Sequence, residues 1–197
     1  MEFLFIILSV ILGYLIGSIN SALLIGGIKG IDIRTKGSGN AGATNAVRVL
    51  GKKTGILVFF GDFIKGIIAC FIGWLLHKNQ IYAGVFAVIG HVFPLYYGFK
   101  GGKGVSTILG TLLFLDWRIF LIAGAWMLLF IGITKIVSVS TLSGLVLATV
   151  LFGVFHKTEY ELIIGVLVLT VLSFVKHREN IKRLLNGTEN KFGKKKE

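Results

Sequence analysis

Residues 1–27 read MEFLFIILSVILGYLIGSINSALLIGG, and the reading of this stretch decides the environment of the whole chain. A secretory signal peptide opens with a basic region and carries an apolar run of only about 7–15 residues before its cleavage site. Here no basic residue precedes the apolar run, the run is longer, and residues 14–24 continue as helix-compatible sequence. The stretch therefore reads as a first membrane span that is kept in the protein. The rest of the chain agrees with it. Hydrophobic residues make up 54% of the 197 positions and charged residues 15%, with a single proline, and the mean hydropathy is +0.84. A soluble core of this size has no room for so much apolar surface, so an all-α integral membrane protein is expected, built as one polytopic domain over 1–197.

Apolar segments fall at 3–27, 55–76, 81–97, 105–115, 119–134, 136–155 and 162–175, which predicts about seven transmembrane helices. The fourth is short: 11 residues rise about 16 Å, half the hydrocarbon thickness, so it must be buried against protein or line a cavity. With the amino terminus outside, seventeen of the 21 lysines and arginines collect on one face, three (Lys78, Arg118, Lys157) on the other, and Lys65 lies within a span. Positive charge marks the cytoplasmic side, so the carboxyl terminus is expected in the cytoplasm. The end, 190–197, reads as a basic tail near anionic lipid.

Lysine and arginine outnumber aspartate and glutamate by 21 to 9, a net charge of +12. That balance suits lipid headgroups or a phosphorylated substrate. No element fit to enter a nucleic-acid groove lies outside the spans, so no nucleic-acid partner is expected. Cys70 is the single cysteine and sits in an apolar stretch, which excludes a disulfide within the chain, CxxC redox chemistry and a thiolate metal cluster. No metal and no cofactor are expected.

Three polar segments share the basic face. The first, KGSGNAGATNAVRVLGKK from Lys36, offers glycines for close backbone approach, Ser38, Asn40, Thr44 and Asn45 as short polar groups, and the guanidinium of Arg48. Read plainly, it is a flexible loop of ordinary turn residues. The second, GFKGGKGVST at 98–107, fails as a P-loop because Tyr97 and Gly104 stand where glycine and Ser/Thr are needed. Its Gly101, Gly102 and Gly104 can still turn N–H groups toward an anion that Lys103 neutralises, at the start of a helix near Val105. The plain alternative is a tight turn with snorkelling lysines. The third, HRENIKRLLNGTE at 177–189, reads as an interfacial helix, with His177 and Asn180 three apart on one face. The loops HKNQ, DWR and HKTEYE, expected outside, carry no comparable constellation. Within the spans, Asp62 and Lys65 are spaced to pair, and Asp62 is near enough to the cytoplasmic end to support Arg48. His91, in GHVFP, sits six residues before Tyr97.

Together GSGNAGATN at 37–45 with Arg48, GHVFP at 90–94 with KGGKGVST at 100–107, and HRENIKRLLNGTE at 177–189 resemble the bacterial acyl-phosphate:glycerol-3-phosphate acyltransferases. The resemblance spans nearly the whole chain. Ala41 stands where that family often has proline, and Ser106 where it often has alanine; neither change removes a glycine or a charge. The resemblance implies an enzyme that moves a fatty acyl group from acyl phosphate to the sn-1 hydroxyl of glycerol 3-phosphate. The products are 1-acylglycerol 3-phosphate (lysophosphatidic acid) and phosphate, in the first step of phospholipid biosynthesis. It also implies a multi-pass protein of the bacterial inner membrane with a cytoplasmic active site, in contact with membrane lipids and expected as a monomer.

On that reading Gly101, Gly102, Lys103 and Gly104 hold one phosphate, and Asn40, Thr44, Asn45 and Arg48 the other. Ser38, His91, His177 and Asn180 are the candidate catalytic groups. The proton acceptor is either His91 or His177, or a phosphate of the substrates themselves. Two rival classes remain at this point: an anion or phosphate-ester transporter, and a membrane scaffold with a basic face.

Overall fold

The structure, a computed structural model, describes residues 1–191; all of the expected basic tail except Asn190 and Lys191 lies outside them. Regular structure among the described residues is entirely helical: α1 (Glu2–Ser18), α2 (Ser21–Ile28), α3 (Ala43–Leu50), α4 (Lys52–Leu75), α5 (Gln80–Val92), α6 (Val105–Leu115), α7 (Trp117–Thr134), α8 (Val137–Phe155), α9 (Tyr160–Lys176) and α10 (Arg178–Leu185). Short 3-10 turns lie at Ile33–Thr35 and Leu95–Tyr97.

Every apolar segment read from the sequence contains helix, although 3–27 is interrupted at Ile19 and Asn20 and 81–97 at Phe93 and Pro94. Five stretches are long and apolar enough to cross a bilayer: Glu2–Ile28, Lys52–Leu75, Gln80–Tyr97, Trp117–Thr134 and Val137–Phe155. A further pair, α9 and α10, meets that test together but bends by 57° at His177. The fourth segment is the 11-residue α6.

The burial pattern of α4 is inside out, as a lipid solvent requires. Leu57, Phe60, Ile64, Ile68, Phe71 and Leu75 form an exposed apolar stripe, while Asp62, Lys65, Ala69 and Cys70 are buried on the other side. Lipid is as apolar as leucine, so helices associate through close packing of small residues rather than through burial of that stripe. The contact of α1 with α5 shows this: a Cβ at Gly17 would strike the Ala87 carbonyl, and one at Gly90 the Tyr14 carbonyl.

Two compact units divide the chain, Met1–Leu115 and Asp116–Glu197. In the first, α1, α4, α5 and α6 pack together, and α2 and α3 close over the start of α4. A small apolar cluster of Ala22, Leu23, Ile33, Ala41, Ala46 and Val58 fixes that closure. In the second, α8 packs between α7 and α9.

The first span is not continuous. α1 stops at Ser18, and Asn20 starts α2 by accepting the Leu23 N–H on its side-chain oxygen at 3.0 Å. Such a break leaves carbonyl and N–H groups unpaired in a medium with no water, and they must find partners within the protein.

Candidate active site

Partners for the break come from α4. Lys65 Nζ donates to the carbonyls of Gly17 at 3.0 Å and Ile19 at 2.7 Å, and Asp62 Oδ1 accepts the N–H of Ser21 at 3.2 Å. The two side chains pair with each other at 2.9 Å, as their spacing predicts. Their partner is not Arg48, however. The buried pair serves the ends of α1 and α2, whereas Arg48 is exposed on α3 with no hydrogen bond or ion pair among the described residues. Removing one member of such a buried pair strands the other charge, at a cost of about 3–5 kcal/mol.

His91 lies against the same pair. Its Nδ1 is 2.9 Å from Lys65 Nζ and 3.5 Å from Asp62 Oδ1, and the residue is 2% exposed. The other ring nitrogen, Nε2, abuts Gly102, so closely that a Cβ at Gly102 would collide with it and with the Ala41 carbonyl. The preference of the residue before a proline for extended backbone ends α5 just ahead of Pro94. The chain then turns through Leu95–Tyr97 and passes back under the end of α5. There the Gly101 N–H donates to the Val92 carbonyl and the Gly102 N–H to the His91 carbonyl, each at 3.2 Å.

This corrects the expectation that both N–H groups face an anion. The last carbonyls of a helix lack partners within it, and the returning glycines supply donors. Gly104 differs. Its φ of +83° suits glycine, and its carbonyl accepts the Ile108 N–H at 2.8 Å, so it opens α6. Lys103 is half-buried immediately before that helix start.

The first motif is shaped by Asn45. Fully buried, it donates to the carbonyls of Ile33 and Lys36, each at 3.0 Å, and accepts the Ser38 N–H at 2.8 Å. Its amide is thereby committed to folding the loop. Ser38 is exposed, and Asn40 and Thr44 are half-buried. Thr44 and Arg48, four apart on α3, share a face.

Two residues missed in the sequence join the motifs. Asn20 donates to the Ala41 carbonyl at 3.2 Å, and Arg34 donates to the Tyr97 carbonyl at 3.0 Å while pairing with Asp32 at 2.8 Å. The pairing with Arg34 holds the Asp32 carboxyl below the usual carboxylate range. An amide interrupting an apolar run, as in SINS at 18–21, was the available signal for Asn20. The structure thus brings the first two motifs and His91 together within the first unit.

His177 and Asn180 lie in the second unit, where α9 bends into α10. His177 Nδ1 is 2.8 Å from the Ser173 carbonyl, and Asn180 donates to Glu189, whose carboxylate also accepts from Ser138 Oγ at 3.1 Å and from Arg183 Nε at 2.7 Å. Glu189 closes the third motif on itself, a role not read from the sequence. Burial raises the Glu189 pKa, but the Asn180 amide and the Arg183 guanidinium outweigh it and hold the carboxyl below its ordinary value. A carboxyl depressed in the folded state contributes stability above its ordinary value of 4.5, lost as pH falls through the folded value. The thermal midpoint of the purified protein is therefore expected to drop on acidification below that range. Glu189→Gln should flatten the acid slope in a pH series of melting curves, and an unchanged slope would remove Glu189 from the cause.

The short loops expected outside are also less empty than the sequence implied. Asp116 caps α7 by accepting the Arg118 N–H at 2.9 Å, pairs with the Arg118 guanidinium at 2.8 Å, and meets His156 Nε2 at 3.1 Å; His156 Nδ1 is 2.7 Å from Glu159. The start of α7 and the end of α8 converge here because the two helices run antiparallel. Burial disfavours charge on His156, but its hydrogen bonds to Glu159 and Asp116 prevail and raise its pKa.

Comparison with known proteins places this geometry. Residues 7–187 match the family described as glycerol-3-phosphate acyltransferase. The glycerol-3-phosphate acyltransferase of Bacillus subtilis (strain 168) is 48% identical over 190 residues, 94% of this chain and 97% of that protein. Its counterpart in Clostridioides difficile (strain 630) is 42% identical over 206 residues, covering all of both chains. A crystal structure of PlsY (YgiH), described as an integral membrane glycerol 3-phosphate acyltransferase, superposes in its glycerol 3-phosphate form with a TM-score of 0.91 at 38% identity, over 95% of this chain and 96% of that one. The lysophosphatidic acid form gives a TM-score of 0.86 at 37% identity. The match over most of the chain, the identities and the near-complete coverage show that this chain belongs to the glycerol-3-phosphate acyltransferase family.

Proposed function

We propose that this acyltransferase moves a fatty acyl group from acyl phosphate to the sn-1 hydroxyl of glycerol 3-phosphate, releasing phosphate and 1-acylglycerol 3-phosphate. The observation that carries the reading is the joining of two glycine-containing segments in one unit. Each runs directly into a helix N-terminus, α3 or α6, and each brings a cation, Arg48 or Lys103. Two anionic substrates repel each other, and bringing them together takes fixed positive charge and N–H dipoles on both sides.

An acyl phosphate is a mixed anhydride with a good leaving group. What remains for the protein is to orient the hydroxyl on the carbonyl carbon, stabilise the oxyanion and provide for the proton. Lys103 and the start of α6 hold the acyl phosphate; Thr44 and Arg48 hold glycerol 3-phosphate; Ser38, His177 and Asn180 serve the transfer step. Nδ1 of His91 rests against Lys65, its Nε2 abuts Gly102 and the ring is buried, which favours His177 or a substrate phosphate as proton acceptor over His91. The apolar segments suggest about seven crossings of a bacterial inner membrane, and the positive-inside bias supports an amino terminus outside and the motifs in the cytoplasm.

A donor panel tests the proposal. Purified protein with glycerol 3-phosphate is expected to use palmitoyl phosphate and to turn over palmitoyl-CoA at least about 100-fold more slowly, the scale of a lost leaving-group contact. The product should carry its acyl group on the primary hydroxyl by NMR. Equal use of the thioester, or acylation at the secondary hydroxyl, would refute the donor or the position respectively.

A further inference from the structure

Asp62 and Lys65 touch none of the residues assigned to substrate, yet their contacts run in a closed path. Lys65 binds the carbonyls that end α1, and Asp62 binds the first N–H of α2. Each charge faces the helix end whose dipole it complements, the cation at carbonyls and the anion at an N-terminus. From the pair the path continues to His91 Nδ1, through the ring to Nε2 against Gly102, across to the Ala41 carbonyl beside it, and back through Asn20 Nδ2 to the break itself. The His91 carbonyl also holds the Gly102 N–H, so ring and backbone fix the same glycine. Ala41 belongs to the first motif and Gly102 to the second. A ring of buried contacts therefore connects the interruption of the first span to both candidate phosphate segments.

We propose that Asp62 and Lys65 are positioning residues that hold the break in the first span against His91, and thereby set the spacing between the GNAGA and GGKG segments. The inference rests on the reading that those segments hold the two substrates. A buried pair replaced as a unit by neutral residues need not destabilise a protein, so fold and spacing can be separated by experiment. Loss of the pair should misplace the segments without removing any substrate contact. Such misplacement lowers kcat, since a shift of about 1 Å can cost on the order of 100-fold, while each substrate still finds its cation.

The test compares the full chain in detergent with the double variant Asp62→Asn/Lys65→Met and with Lys65→Arg. Hydrogen exchange and steady-state kinetics are read on the same preparations. In the double variant, amide exchange is expected to rise at least about tenfold in residues 19–24 and also in 98–105, which no substituted residue adjoins in sequence. Its kcat should fall about 30-fold or more with KM for glycerol 3-phosphate within about threefold, and Lys65→Arg, still able to donate to both carbonyls, should recover most of kcat. Should the double variant fail to fold, Asn20→Ser reads the other limb of the path. Serine still caps α2 but is too short to reach Ala41, and a tenfold loss of kcat is expected. Increased exchange confined to 19–24, or kcat within threefold of the parent in folded double variant or in Asn20→Ser, would overturn the proposal. Product formation by the parent chain is scored separately, so a wrong functional reading would show there while the exchange result still judged the path.

Discussion

Gly102→Ala is expected to lower kcat by about 100-fold or more while the protein remains folded. The added Cβ would meet His91 Nε2 and the Ala41 carbonyl, which lies 2.5 Å from its ideal position. Neither obstacle yields easily. The His91 ring is wedged against Lys65, and the Ala41 carbonyl is held by Asn20. The backbone of Gly102 is itself tied to the His91 carbonyl. The methyl must therefore push apart the two segments proposed to hold the substrates, and orientation is the largest contribution left to the protein when the donor is already activated. Kinetics beside a melting curve checks this. A folded Gly102→Ala enzyme with kcat near the parent value would mean that the segments can separate without consequence.

Lys103→Met is expected to cost about 100-fold or more in kcat/KM, which corresponds to roughly 2.7 kcal/mol of lost transition-state stabilisation. With the N–H groups of Gly101 and Gly102 engaged by α5, Lys103 and the start of α6 are what remains in the second segment to attract the acyl phosphate it is proposed to hold. Charge-assisted hydrogen bonds to phosphate are about twice as strong as neutral ones, and they gain where water is scarce. Lys103→Arg retains the charge and should keep more activity than Lys103→Met. Equal loss in the two variants would show that the ammonium acts through shape rather than charge, and an active Lys103→Met enzyme would move the acyl phosphate elsewhere.

The helices and the motifs were legible because a lipid solvent demands long apolar runs, against which the polar segments between them stand out. The path between the motifs was not. Asn20 stands out in the sequence only as an amide in an apolar run; its meaning depends on the break in the span, which apolar composition alone runs straight through. The glycines at 101 and 102 looked like anion ligands because a close approach to a phosphate and a close approach to a neighbouring helix end ask for the same residue. Asp62 is recognisable as costly and paired, but the sequence offers only Arg48 as its beneficiary, because the break between α1 and α2 is not visible in an apolar run. Glu189, the last residue of the third motif, shows its role only once the chain after α10 folds back on Asn180 and Arg183.

The central claim is acyl transfer from acyl phosphate, and the most direct measurement is stoichiometric. Purified, folded protein in detergent is given palmitoyl phosphate and labelled glycerol 3-phosphate, and free phosphate and labelled lysophosphatidate are followed together. One phosphate is expected for each lysophosphatidate formed, with neither appearing in the absence of the other substrate. Phosphate release without glycerol 3-phosphate, or a folded preparation that forms no lysophosphatidate and instead carries glycerol 3-phosphate across proteoliposome membranes, would contradict it.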